Sequence, residues 1–452
     1  CVSSLNQLLA QIRLTTYKKF VTSKKVALLK ILTLEVEKMM ADSLAGEIIA
    51  CHECDHFYYY ELIPVGAKAS CQHCGNLLYR HIPDSLNRSL ALYFTALVLF
   101  LIANVFPFLS LELGGRVVEN ILFSSGWAMY ELGMGELGVL IILTSILFPF
   151  IVIAGMLYLL IPARMGTVAP FMAQVYRIVN SIVPWSLVGV FMLGVLIAIV
   201  KLQDLANVIT GPSLIALALL LVVYTAARAS FDPHDLWSLT GHSSSGISSD
   251  DIANHKILNC HTCGFLSRHT GEHQNCLRCT SPLHHRKHNS IEATWALLAA
   301  ACVLLIPANV YPVMTVIRFG QGEPSTILSG VLHLIESGMW GLAMIVFVAS
   351  IVIPVMKLII LIFLLISVHN KSLWRPRDRT LLYRVTEVVG AWSMVDIFLV
   401  GLLSSLVSLE ALSAIRPGIG AIFFAGVVVI TMFAAHSFDP RLIWDNVKEK
   451  QQ

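Results

Sequence analysis

"ASIVIPVMK", residues 349–357, repeats "TSILFPFIV", residues 144–152, with the serine and the proline in register and a lysine in place of the final valine. The recurrence runs through the whole chain at an offset near 207. "IANVFPFLSL" (102–111) returns as "IPANVYPVMTV" (306–316), and "PWSLVGVFMLGVL" (184–196) as "AWSMVDIFLVGLL" (391–403). "SFDPHDLW" (230–237) returns as "SFDPRLIW" (437–444). A duplication of this length fixes the architecture before any single element is assigned.

The repeated unit is a membrane unit. Of the 452 residues, 56% are hydrophobic and 13% charged, where a soluble domain carries about 25% charged residues. Apolar stretches long enough to span a bilayer fall at about 88–111, 137–161, 182–203, 212–229, 293–317, 342–368, 386–408 and 418–436. Four spans per copy is an even number, so the two repeats are parallel, an arrangement found in transporters with sites near the repeat interface. Of the 31 Lys and Arg, 26 fall at both termini, before span five and in the even-to-odd connections, and Arg116, Arg318 and Arg416 lie in the opposite loops. The positive-inside rule places both termini and the 230–292 segment in the cytoplasm. A net charge of +3 gives no argument for nucleic acid.

A cysteine-bearing segment precedes each set of spans. "CHEC" and "CQHC" hold Cys51, Cys54, Cys71 and Cys74; "CHTC" and "CLRC" hold Cys260, Cys263, Cys276 and Cys279. Paired CxxC knuckles suit tetrahedral thiolate coordination, most simply a structural Zn²⁺ in a Cys₄ shell with no open position. Iron and a redox-active thiol site are the alternatives, and disulfides are disfavoured in a reducing cytoplasm. The expected fold is an all-α integral membrane protein of two tandem parallel four-span repeats, each preceded by a small cytoplasmic zinc ribbon of short β-hairpins. Its divisions are a basic extension (1–46), ribbon one (47–82), repeat one (83–237), a linker (238–255), ribbon two (256–288), repeat two (289–445) and a tail (446–452). The extension reads either as a basic amphipathic helix on the inner leaflet or as sequence upstream of a start at Met39 or Met40.

The copies differ where charge enters the membrane. Lys357 stands where repeat one has Val152, and Asp396 where it has Gly189; Lys201 and Asp204 align with Ser408 and Ala411. Intramembrane ionisable residues are functional candidates with a partner to be found. Counting helix rise from the cytoplasmic ends places Lys357 and Asp396 at similar depth, so a salt bridge between them is expected. Lys201 and Asp204, spaced i, i+3, share a helix face, and Thr431 either joins this set or bonds its own helix. Pro107, Pro149, Pro312 and Pro354 are expected to kink their spans. There is no nucleotide-binding glycine loop, no HExxH and no hydrolase triad, so no enzymatic activity is expected.

With its two Cys₄ ribbons, "PANVYPVMTV", "PSTILSGV", "ASIVIPVMK", "WSMVDIF" and the ending "FDPRLIWD", the chain resembles the paraquat-inducible protein A family from Cys51 to Asp445. The resemblance implies a bacterial inner-membrane protein that works beside MCE-domain proteins, which form periplasmic lipid tunnels, and that loads or unloads phospholipid there. It implies a working centre at Lys201, Asp204, Lys357, Asp396 and Thr431; the missing ATPase motif points to proton coupling as the energy source, with a separate ATPase as the alternative. Two rival readings are a non-transporting adaptor that anchors the tunnel and a thiol-based stress sensor.

Overall fold

The structure, a computed structural model, describes residues 48–241 and 257–449, apart from 62, 114–115, 204–206, 270, 272–273, 319–320 and 407–412. Its eight apolar helical spans are Ser85–Val105, Gly135–Arg164, Met172–Val200, Pro212–Ser230, Ser290–Val310, Trp340–His369, Pro376–Ser405 and Ile419–Asp445, called spans one to eight below. Spans three and seven begin about ten residues before the expected positions. The first part of span seven, Pro376–Gly390, is polar by composition and so escapes an apolarity window, although Tyr383 and Thr386 on its inner face are buried.

The four prolines act in two ways. Helix one ends at Val105 and helix five at Val310, just before Pro107 and Pro312, because a proline excludes helical backbone in the residue before it. The chain beyond them forms strands where the sequence reading has spans and loops. β5 (Leu109–Leu113) pairs with β6 (Arg116–Asn120) and β7 (Asn207–Thr210). In the second copy β12 (Met314–Arg318) pairs with β13 (Gln321–Ser325) and β14 (Ser413–Pro417). Each three-stranded antiparallel sheet ties the exit of its repeat's first span to the entry of the fourth. The chain must pass very close there: a Cβ at Gly211 would lie 2.0 Å from the Pro107 carbonyl oxygen, and one at Gly418 2.1 Å from that of Pro312. Only glycine fits.

Pro149 and Pro354 lie inside spans and are preceded by one π turn each, Leu143–Leu147 and Val348–Val352. A proline has no N–H for the carbonyl four residues back, and a widened turn absorbs the mismatch. Lys357 is the fifth residue beyond this irregularity, at the start of the second turn.

Within each repeat, the first and fourth spans pack along their length, joined in repeat one by the Ser213 hydroxyl donating to the Ala103 carbonyl. The repeats meet along spans three and seven. Phe191 and Phe398 stack edge to face at 5.3 Å, and Gly194 leaves room for the Phe398 Cβ. Asn120 of repeat one donates to Ser405 of repeat two.

The ribbons sit together at the other end from the sheets. Ribbon one consists of β1 (Ile48–Ala50) with β2 (Phe57–Tyr59), and β3 (Lys68–Ser70) with β4 (Leu77–Arg80). Ribbon two consists of β8 (Ile257–Asn259) with β9 (Leu266–Arg268), and β10 (Gln274–Asn275) with β11 (Pro282–Leu283). Ile48, Ala50, Ile257 and Leu266 form a small core between them. Their cysteine ends are crossed over the membrane repeats. The cysteines of ribbon one pack with Tyr383, Phe438 and Trp444 of repeat two, and those of ribbon two share a core with Tyr176 and Trp237 of repeat one.

Candidate functional site

Each CxxC knuckle closes by the same turn. The amides of Asp55, Gly75, Gly264 and Thr280 donate to the carbonyls of Cys51, Cys71, Cys260 and Cys276 at 2.8–2.9 Å. All four of these residues have positive φ, 51–75°. The turns aim the sulfurs inward, and the four Sγ atoms of each set lie within 4.8 Å of one another. The distances Cys51–Cys74, Cys54–Cys71 and Cys263–Cys276 are 3.5 Å, and Cys260–Cys279 is 3.4 Å. A tetrahedral ion with bonds of about 2.3 Å separates its sulfurs by about 3.8 Å, so both donor sets fit a metal ion. Four thiols in one pocket cannot ionise independently. Hydrogen bonding to Cys51 and Cys260, with burial, pushes the Cys54 and Cys263 thiols up, and bonds from partner thiols hold Cys74 and Cys276 well below the usual range.

Ribbon one is clamped to span seven. Arg384 Nε donates to Glu53 Oε2 at 2.6 Å, and its Nη2 reaches the Cys74 carbonyl at 3.2 Å and the Cys74 sulfur at 3.4 Å. Burial pushes the Glu53 carboxyl up, opposed by this guanidinium. A second clamp joins both ribbons to span eight. Arg286 contacts Asp445 and, at 2.6 Å, Asp55; Arg441 contacts His261 and, at 2.9 Å, Asp439. Burial alone would lower Arg286, but Asp445 and Asp55 hold it above its ordinary value.

Beside these clamps, between the repeats, lies a cavity of about 690 Å³. Its walls are apolar: Leu187, Val190, Leu193 and Leu196 of span three face Val388 of span seven and Met432 of span eight. Four ionisable side chains reach it, namely Arg228, Lys357, Glu387 and His436. Among the described residues, none of these four side chains makes a hydrogen bond or ion pair, whereas Arg384, Arg286 and Arg441 close by are all paired. Lys357 is 4% exposed. Its ammonium lies against Gly390, where a Cβ would sit 2.6 Å from Nζ.

The expected bridge from Lys357 to Asp396 is not formed among the described residues. The reason is depth. Span seven starts ten residues early, and Asp396 lies six residues beyond Gly390, about 9 Å further along the helix axis than the point the Lys357 ammonium touches. Asp396 is buried at the seam between spans three and seven. Thr431 is buried and donates to its own helix, to the Val428 carbonyl at 2.9 Å, one residue before cavity-lining Met432. Lys201 falls in the last turn of the span-three helix; its side chain and all of Asp204 lie outside the described residues. Arg228, Glu387 and His436 escape the sequence reading because they sit at helix ends, where a charge is unremarked. The available signal was the duplication, in which Glu387 replaces Asn180 and His436 replaces Ala229.

Eight apolar spans in two parallel repeats, capped by two four-cysteine ribbons, define a multi-pass membrane protein with two candidate metal centres and an inter-repeat cavity. The chain belongs to the paraquat-inducible protein A family, whose model matches residues 86–240 and 291–448, the two membrane repeats. It is 30% identical to the intermembrane transport protein PqiA of Escherichia coli (strain K12), over 90% of this chain and 98% of that protein. It is also 30% identical to the lipophilic envelope-spanning tunnel protein A of the same strain, over 88% and 92%. A probable intermembrane transport protein of Haemophilus influenzae is 27% identical, over 88% and 96%. No solved structure matches the chain.

Proposed function

We propose that the chain is the inner-membrane subunit of an envelope lipid transport system, and that the inter-repeat cavity is where a phospholipid is loaded or unloaded. The observation that carries this reading is the cavity itself. An apolar chamber inside the membrane exposes a buried ammonium that makes no hydrogen bond or ion pair among the described residues, and an unpaired intramembrane charge is costly unless something binds it. A lipid supplies both parts, acyl chain for the walls and phosphate for Lys357. The names of the relatives in Escherichia coli support the same direction.

In this reading the ribbons hold Zn²⁺, face the cytoplasm as the distribution of Lys and Arg indicates, and brace spans seven and eight beside the cavity. The sheets at the opposite end face the periplasm, where an MCE-domain tunnel protein would receive or deliver lipid. Asp396, in the seam between the repeats, is the group through which protonation would act on the packing of spans three and seven, and Lys201, Asp204 and Thr431 are the further polar residues of the transport path. The test is lipid bound to the purified full chain, quantified by mass spectrometry. Wild type should retain phospholipid and Lys357→Ala should lose at least tenfold of it. Equal retention by a correctly folded Lys357→Ala chain would remove the basis of the proposal.

A further inference from the structure

The cavity's polar groups are not of one sign. Three of its ionisable side chains are basic, Lys357, Arg228 and His436, and the fourth is the carboxylate of Glu387. A site for a purely anionic head would gain nothing from a carboxylate in its lining, since like charges at close range repel. Glu387, an exposed residue, makes no ion pair among the described residues, although Arg384, three residues before it, is held by Glu53. The helix therefore spends its arginine on the ribbon and turns its glutamate to the cavity.

Position makes the pattern specific. The Lys357 ammonium rests at Gly390, and Glu387 lies three residues before Gly390 on the same helix. Residues so spaced share a face, about 5 Å apart along the axis. A cation and an anion one helical turn apart match a headgroup that carries its own pair of charges, a phosphate joined by a two-carbon arm to an ammonium. Arg228 enters from the other repeat, so the phosphate side would be held by both halves of the molecule.

We infer that the cavity selects a zwitterionic glycerophospholipid with a primary-amine headgroup, its phosphate on Lys357 and Arg228 and its amine on Glu387. This rests on the lipid-site reading above and adds the headgroup class. The duplication agrees with it: repeat one has neither charge, with Val152 and Asn180 at the matching positions.

The full chain, purified and incubated with mixed vesicles of equal phosphatidylethanolamine and phosphatidylglycerol, is re-isolated and its lipid counted by headgroup. Wild type should enrich phosphatidylethanolamine at least fivefold over the vesicle ratio. Glu387→Gln should bring that ratio to one or below, and Glu387→Asp should restore part of it. Lys357→Met should lower the total for both lipids. A wild type that takes both lipids equally or prefers phosphatidylglycerol, or a Glu387→Gln chain with unchanged preference, overturns the headgroup assignment and leaves the lipid site standing. A wild type that carries no lipid overturns both.

Discussion

The two repeats share a chain path, and one matched pair of positions shows how they differ. In repeat two a buried lysine, Lys357, faces Gly390; in repeat one Val152, fully buried, stands at the lysine position and Val183 at the glycine position. The exchange is a volume exchange as well as a charge exchange. A long side chain opposite no side chain in one copy is replaced by two medium ones in the other, so each copy keeps its helices at working distance. The same π turn and proline precede both positions. The scaffold therefore does not require a charge here, and repeat two pays for one.

Moving the lysine to the other copy should have the largest effect. Val152→Lys places an ammonium at a fully buried position that is not part of the cavity lining. It should cost at least about 3 kcal/mol, read as loss of monodisperse protein in size-exclusion chromatography; an unchanged elution profile would show that site to be wetter than its burial implies. The reverse change, Lys357→Val with Gly390→Val, should fold as well as wild type and lose at least tenfold in bound lipid.

Gly390→Ala alone tests the contact itself. Its Cβ would displace the flexible end of Lys357, so thermal stability should move by less than about 1 kcal/mol while lipid retention falls severalfold. If both stay unchanged, the ammonium does not act from that position.

The ribbons sharpen the comparison in a second place. Arg384 and its counterpart Arg177 are both arginine, yet among the described residues only Arg384 is bonded to a ribbon acid and a cysteine. Charged hydrogen bonds of this kind contribute about 1.5–3 kcal/mol. Arg384→Met should therefore lower the unfolding midpoint of the metal-loaded chain clearly and Arg177→Met hardly at all; equal effects would show the clamp to be symmetric. The smallest effect is expected at Thr280, a β-branched residue held at φ 56° where two of the other three knuckles use glycine. Thr280→Gly should relieve about 1 kcal/mol of strain, seen as slower metal loss to a chelator.

Much of this was legible in the sequence. Hydropathy showed eight spans, spacing showed two four-cysteine clusters that could hold a metal ion, and the duplication singled out positions 357 and 396. The partner of Lys357 was not legible, because depth was counted from where apolarity begins, and Pro376–Gly390 is a polar-looking helix that packs by one face. The strands after Pro107 and Pro312 were hidden for the opposite reason: five-residue apolar strands read as the ends of spans. The crossing of the ribbons has no local signature at all, since it depends on how two folded units meet.

The account rests on a lipid in the inter-repeat cavity, held by Lys357. Trp392 lines that cavity and is half exposed, whereas Val303 lies exposed on the outer surface of span five. A photo-crosslinking amino acid placed at each position in turn, in cells whose phospholipid is radiolabelled at phosphate, reads lipid at the cavity and at the bulk surface separately. The prediction is strong labelling at 392 that falls at least fivefold with Lys357→Val, beside labelling at 303 that does not change. Labelling at 392 that ignores Lys357, or that tracks 303, would contradict it.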